Sequence, residues 1–136
     1  MEKGEASSVN LKGSKMEKTI TMPKVSARKF YRQYIELLQP ILKLRSREAD
    51  VFSELLYHNY TKRSITDDKD RFRLVFDIST REQIQEHLQV SNPVIQQALA
   101  GLRRKNVIKG TKLREAFTIE PEEGVFELTF KFVIDE

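Results

Sequence analysis

The chain has no cysteine, only two histidines, and no long apolar run. Without thiols there is no disulfide framework, no thiolate nucleophile and no cysteine-based zinc site. That suits a reducing cytoplasm and equally suits a particle assembled there. The histidines, His58 and His87, fall on different predicted helices and outside any metal-ligand spacing, and the five glycines form no phosphate-cradling loop or nucleophile elbow. No catalytic residue, cofactor, metal or small-molecule substrate is expected, and the chain reads as non-enzymatic. No apolar stretch approaches the roughly 20 residues that span a bilayer, and residues 1–8 lack the apolar core of a secretion signal. No membrane partner is expected.

What is present is 136 residues, the size of one domain, with 39% hydrophobic and 32% charged residues. The net charge of +4 is unevenly spread. Residues 1–32 hold eight bases (Lys3, Lys12, Lys15, Lys18, Lys24, Arg28, Lys29, Arg32) against three acids, while the remainder carries sixteen bases against seventeen acids. The excess therefore sits at the front. Residues 1–26, rich in Gly, Ser and Lys and poor in spaced apolar residues, cannot offset their ordering entropy alone, which predicts an extended basic arm ahead of a domain over 27–136. Such an arm can tether an acidic partner or nucleic acid, or simply keep the chain in solution.

From Ala27 to Leu44, Phe30, Tyr34, Leu37, Leu38, Ile41 and Leu42 recur every three or four residues, predicting an additional N-terminal amphipathic helix that Pro40 breaks or kinks near Gln39. Ser46 is the expected cap of the next helix, with Val51, Phe52, Leu55 and Leu56 facing inward. Residues 61–70 read as a loop. Residues 71–78 fit either a short helix or a strand, and the helix is favoured. Asp67, Asp68 and Asp70 lack the glycine turn and terminal glutamate of a calcium loop and read as a solvated helix start. Ser79 to Glu82 forms a capping box that predicts a helix carrying Ile84 and Leu88. After Gln89, Val90 and Ser91, Asn92 and Pro93 open a second helix with Val94, Ile95, Ala98, Leu99 and Leu102 inward. Two helices joined by a three-residue turn make a helix-turn-helix. Beyond the expected stop at Asn106 the period becomes two. Leu113, Phe117 and Ile119 suggest one strand, 121–124 a turn, and Phe126, Leu128, Phe130, Phe132 and Ile134 the apolar face of another. This is an α+β chain with a C-terminal antiparallel β-hairpin acting as a wing.

The run ISTREQIQEHLQVSNPVIQQALAGLRRKNVI, residues 78–108, resembles the core of the winged helix-turn-helix families. Val90, Ser91, Ala98, Leu99, Leu102, Arg103, Arg104, Lys105, Val107 and Ile108 occupy the positions that carry the resemblance, which extends over about residues 44–134. With FYRQYIELLQPIL from Phe30 and ELLYHNY from Glu54, the layout is also similar to small winged-helix proteins of crAss-like phages of Bacteroides.

Fold leaves function open. In DNA-binding members of the family the outward positions of the second helix carry groups for bases and phosphates. Here they are Asn92, Gln96 and Gln97, with Ala100 and Gly101 where a basic pair often stands, and no base lies between Glu82 and Leu102. Phosphate contacts would fall to Arg103, Arg104, Lys105 and Lys109. Glu120, Glu122 and Glu123 at the expected wing tip would repel a phosphate backbone. Two expectations result. One is a virion assembly protein, of ring or connector type near portal and tail. It docks copies of itself or other virion proteins through the basic arm (Lys12, Lys15, Lys18, Lys24, Arg28, Lys29) and the hairpin edge, and is assembled in the bacterial cytoplasm. The other is a cytoplasmic regulator that binds double-stranded DNA.

Overall fold

The structure is a computed structural model that describes residues 9–12, 17–121 and 126–135, with side chains from Lys18 onward. In chain order a β-hairpin of β1 (Val9–Lys12) and β2 (Glu17–Ile20) precedes five helices. These are α1 (Ala27–Leu42), α2 (Ser46–Thr61), α3 (Asp68–Val75), α4 (Ile78–Leu88) and α5 (Asn92–Arg104). A second small antiparallel hairpin, β3 (Ile108–Lys109) with β4 (Lys112–Leu113), and a 3-10 turn at Glu115–Phe117 complete the order. The chain is thus α+β. No helix is long and apolar enough to cross a membrane among the described residues.

Helix α2 is the centre of the molecule. Every residue from Asp50 to Leu56 is buried, polar ones included, because α1, α3, α4 and α5 all pack against it. Tyr31, Tyr34 and Ile35 of α1, Val75 of α3, Ile84 of α4, and Ile95, Leu99 and Leu102 of α5 close on Val51, Phe52, Leu55 and Leu56. The inward stripe read for α5 is the one observed, save that Val94 is only half-buried. Ile108 and Leu113, neighbours in the β3–β4 ladder, seal the lower edge.

Several boundaries differ from expectation. Pro40 does not break α1, which runs on to Leu42. The hydrogen bond that proline cannot make would have gone to Glu36, and both residues are exposed, so water can take the carbonyl. The helix ends instead at Lys43 in the left-handed region (φ 52°), where the Gln39 side-chain amide bonds both the N–H and C=O of Leu44. The cap of α2 is Arg45 rather than Ser46; its N–H donates to Glu48 at 2.9 Å. Helix α3 begins at Asp68 within the expected loop, because the Asp67 carboxylate accepts from Asp70 N–H at 3.0 Å. For α4 the cap is Asp77, accepting from Thr80 N–H at 2.8 Å, and Ser79 lies inside the helix. A carboxylate at the positive end of a helix outcompetes a hydroxyl placed two residues later.

The larger correction concerns the C-terminal hairpin. It is not built from 113–119 with 126–134 but from two residues on either side of Gly110 (φ 61°) and Thr111. Tyr34 and Tyr31 hydroxyls donate to the carbonyls of Phe117 (3.0 Å) and Ile119, drawing 117–119 across α1, and Phe117 packs edge-on against Phe52. That surface is then filled, so the alternating segment 126–135 has no face to bury and no strand partner among the described residues. Its Phe132, Val133 and Ile134 are 84%, 87% and 75% exposed. Of the expected acidic wing tip, Glu122 and Glu123 lie outside the described residues. The arm is not wholly extended either, since residues 9–12 and 17–20 pair as β1 and β2.

Gly101, expected at an outward position, is buried where α5 crosses α2, and a Cβ there would overlap the Glu48 carboxylate. Gly101→Ala is therefore expected to lower the urea midpoint, costing about 1–3 kcal/mol of overpacking although alanine is the better helix former by roughly 1 kcal/mol. In a Glu48→Ala background the same change becomes neutral or stabilising, which a double-mutant cycle by circular dichroism checks.

Candidate interaction surfaces

The acids buried on α2 decide where many of the bases point. Glu54 receives a two-pronged bond from Arg28 of α1, Nε to Oε2 at 3.1 Å and Nη2 to Oε1 at 2.9 Å. Asp50 meets Arg32 at 2.7 Å and Arg47 at 3.2 Å. Asn59 accepts from Arg71 Nε of α3 at 2.7 Å. Glu48 takes Lys105 Nζ, from just past α5, at 2.5 Å, and that ammonium also donates to Lys43 C=O. Burial alone would raise the Glu48 pKa, but the bonds from Lys105 and the Arg45 amide, with their positive charge, hold the carboxyl below its usual range. A buried carboxylate is tolerated only when so paired.

This placement bears on two expected contacts. Arg28, expected among the partner-binding bases of the arm, is bound to Glu54 from the first turn of α1, and Lys105, expected on phosphates, is exposed but tied to the buried Glu48. Lys29 stays exposed on α1; Lys18 and Lys24 are exposed on and after β2; Lys12 lies on β1, and Lys15 falls outside the described residues. Asn92, Gln96 and Gln97 are all exposed on α5. Arg103 is tied to Gly110 C=O at 3.0 Å and Arg114 to Asn106 C=O at 2.7 Å. Arg104, Lys109 and Lys112 are exposed, with no ion pair among the described residues, the last two flanking the tip of β3–β4. The structure therefore places the three amides on the N-terminal half of α5 and the small basic tip at its C-terminal end. The shallow groove on the α4 side is lined by Glu82, Gln85, Glu86, Gln89, Val90 and Ser91, which adds acid rather than base.

Sequence reading also missed the surroundings of the histidines. His87 Nε2 of α4 comes within 3.7 Å of Glu54 Oε2, and His58 Nε2 of α2 within 3.8 Å of Glu54 Oε1, too far for hydrogen bonds. His58 is buried, and its Nε2 has no hydrogen-bond partner among the described residues. Arg28 already neutralises Glu54. Desolvation, followed by the positive charges of Lys62 and Arg28 and the neighbouring His87, pushes His58 down to about 4. Only the i, i+4 spacing of Glu54 and His58 hinted at this cluster. Among the described residues no group of three potential ligands is arranged to hold a metal ion.

The chain matches no protein-family model, no curated protein and no solved structure.

The depressed His58 sets a pH dependence. Unfolded, the imidazole titrates near its ordinary value of about 6.5; folded, it stays neutral down to about 4. Between these limits the unfolded chain binds more protons, so stability falls as pH falls, by roughly 3 kcal/mol over the full window, and is independent of this group above it. Urea unfolding between pH 7.5 and 5 should show this slope in the native chain, with most of it absent in His58→Leu.

Proposed function

We propose that this chain is a non-enzymatic assembly protein of winged helix-turn-helix architecture, a ring or connector component of a tailed-phage particle near portal and tail, working through protein contacts. The observation that carries the reading is the apolar strip of segment 126–135. Phe130, Phe132, Val133 and Ile134 face solvent in one run, and burying each in a partner would contribute roughly 1.5–3 kcal/mol. Isolated soluble chains rarely keep such a strip uncovered. Ile20, Met22, Leu37, Ile41 and Ile78 enlarge the exposed apolar surface. The phage setting rests on the layout of residues 30–108 described above. The charge distribution supports protein contact as well: Arg28, Arg32, Arg71 and Lys105 are engaged with α2, and the α5 face that would enter a DNA groove carries amides without a base.

The second reading, a DNA-binding regulator, is favoured by one observation. The observed hairpin tip carries Lys109 and Lys112 rather than the expected glutamates, and it is tied, through Arg103 to Gly110 C=O, to the C-terminal end of the helix that bears Asn92, Gln96 and Gln97. A gel shift on random duplex DNA at moderate salt separates the two. The assembly reading expects weak binding that Gln96→Ala with Gln97→Ala leaves unchanged. Tight, salt-sensitive binding lost in that double variant would overturn it.

A further inference from the structure

Segment 126–135 has the alternation of a strand and the exposure of an unpaired one, while β1–β2 is a two-stranded sheet whose outer edges carry no further strand among the described residues. A backbone edge left open needs a hydrogen-bonding neighbour or a device that repels one. The two elements are complementary in charge as well as in bonding. Residues 9–24 hold Lys12, Lys15, Lys18 and Lys24 against Glu17 alone, whereas residues 126–135 hold Glu127 and Asp135 against Lys131 and are flanked in sequence by Glu120, Glu122, Glu123 and Glu136. Exposed Ile20 and Met22 supply apolar surface beside the basic strand. Both elements also leave the body at one place: the arm enters α1 at Ser26, and Phe126 packs edge-on against Phe30, 5.5 Å between ring centres. Both elements are thus joined to the body at the start of α1, yet the sheet remains two-stranded among the described residues.

From this we infer that segment 126–135 of one copy adds as a strand to the β1–β2 edge of a second copy, acid segment to basic hairpin, in a head-to-tail contact. This deepens the assembly reading and rests on it. Because donor and acceptor are different surfaces, every copy that gives a strand can also receive one. Repetition then closes a ring when the rotation per copy divides a full turn. Main-chain bonds fix the direction of the contact, and the alternating phenylalanines strengthen it, as in other strand additions.

The absence of cysteine makes a direct test available. Lys18→Cys is introduced in one tagged preparation of the full chain and Thr129→Cys in another, both at exposed positions. The two are mixed and treated with a short bis-maleimide. The expected product joins the two differently tagged chains, and light scattering of the native chain gives an integral multiple of the monomer mass. Phe130→Ser with Phe132→Ser, or deletion of 126–136, returns the mass to that of one chain with an unchanged helical spectrum, and high salt weakens the contact. A native chain that stays monomeric up to its solubility limit overturns the inference, as does a doubly substituted chain that links only within itself. An oligomer that survives the deletion overturns strand donation while leaving the assembly reading standing.

Discussion

The fold depends on a single constraint: a helix that carries acids is buried on all sides. Helix α2 places Glu48, Asp50 and Glu54 where water cannot reach them freely, and each demands a cation from a different direction. Removing one partner of such a pair leaves a stranded charge and costs several kcal/mol, whereas the intact pairs add little over an apolar substitute. Their structural effect is therefore positional. Arg28 and Arg32 fix the rotation of α1 about α2, Arg71 fixes α3, and Lys105 fixes the end of α5 at the point where Gly101 lets the two helices touch. The apolar core alone would permit small slides that these pairs exclude.

The same constraint redistributes charge. A chain with 24 basic side chains looks well supplied for binding polyanions, but the bases nearest the core are committed inward. Outward near the end of α5 stand Arg103, Arg104, Lys105, Lys109, Lys112 and Arg114, of which Arg103, Lys105 and Arg114 are hydrogen-bonded to the body. Apolar surface is left uncovered as well, at Phe130, Phe132, Val133 and Ile134.

The helices were legible because their signals are local. The α5 stripe from Ile95 to Leu102, the three-residue turn before it and the stop at Asn106, observed at φ 62°, follow from spacing and capping alone. Caps shifted by one or two residues where a carboxylate stood near the expected hydroxyl, as at Asp77 beside Ser79. The hairpin was misplaced for a different reason. Alternation in 126–134 states that one face wants burial but not what will bury it, and the space it was assigned is taken by Phe117 and Ile119 under the hydroxyls of Tyr34 and Tyr31. Of the expected interface, Asn92, Gln96 and Gln97 stand outward as read, while Arg28 and Lys105 are tied to buried acids that lie far away in sequence. No periodicity within one helix announces a partner from another.

The first two turns of α1 carry an unusual concentration of ties. Ser26 caps the helix, Arg28 grips Glu54, Phe30 meets Phe126, and the Tyr31 hydroxyl holds Ile119. Tension applied through either flanking segment enters the body at this one spot and passes along α1 into α2. Helix α4 meets the same point through His87, 3.7 Å from Glu54, so load that enters here is shared between α2 and α4 at once.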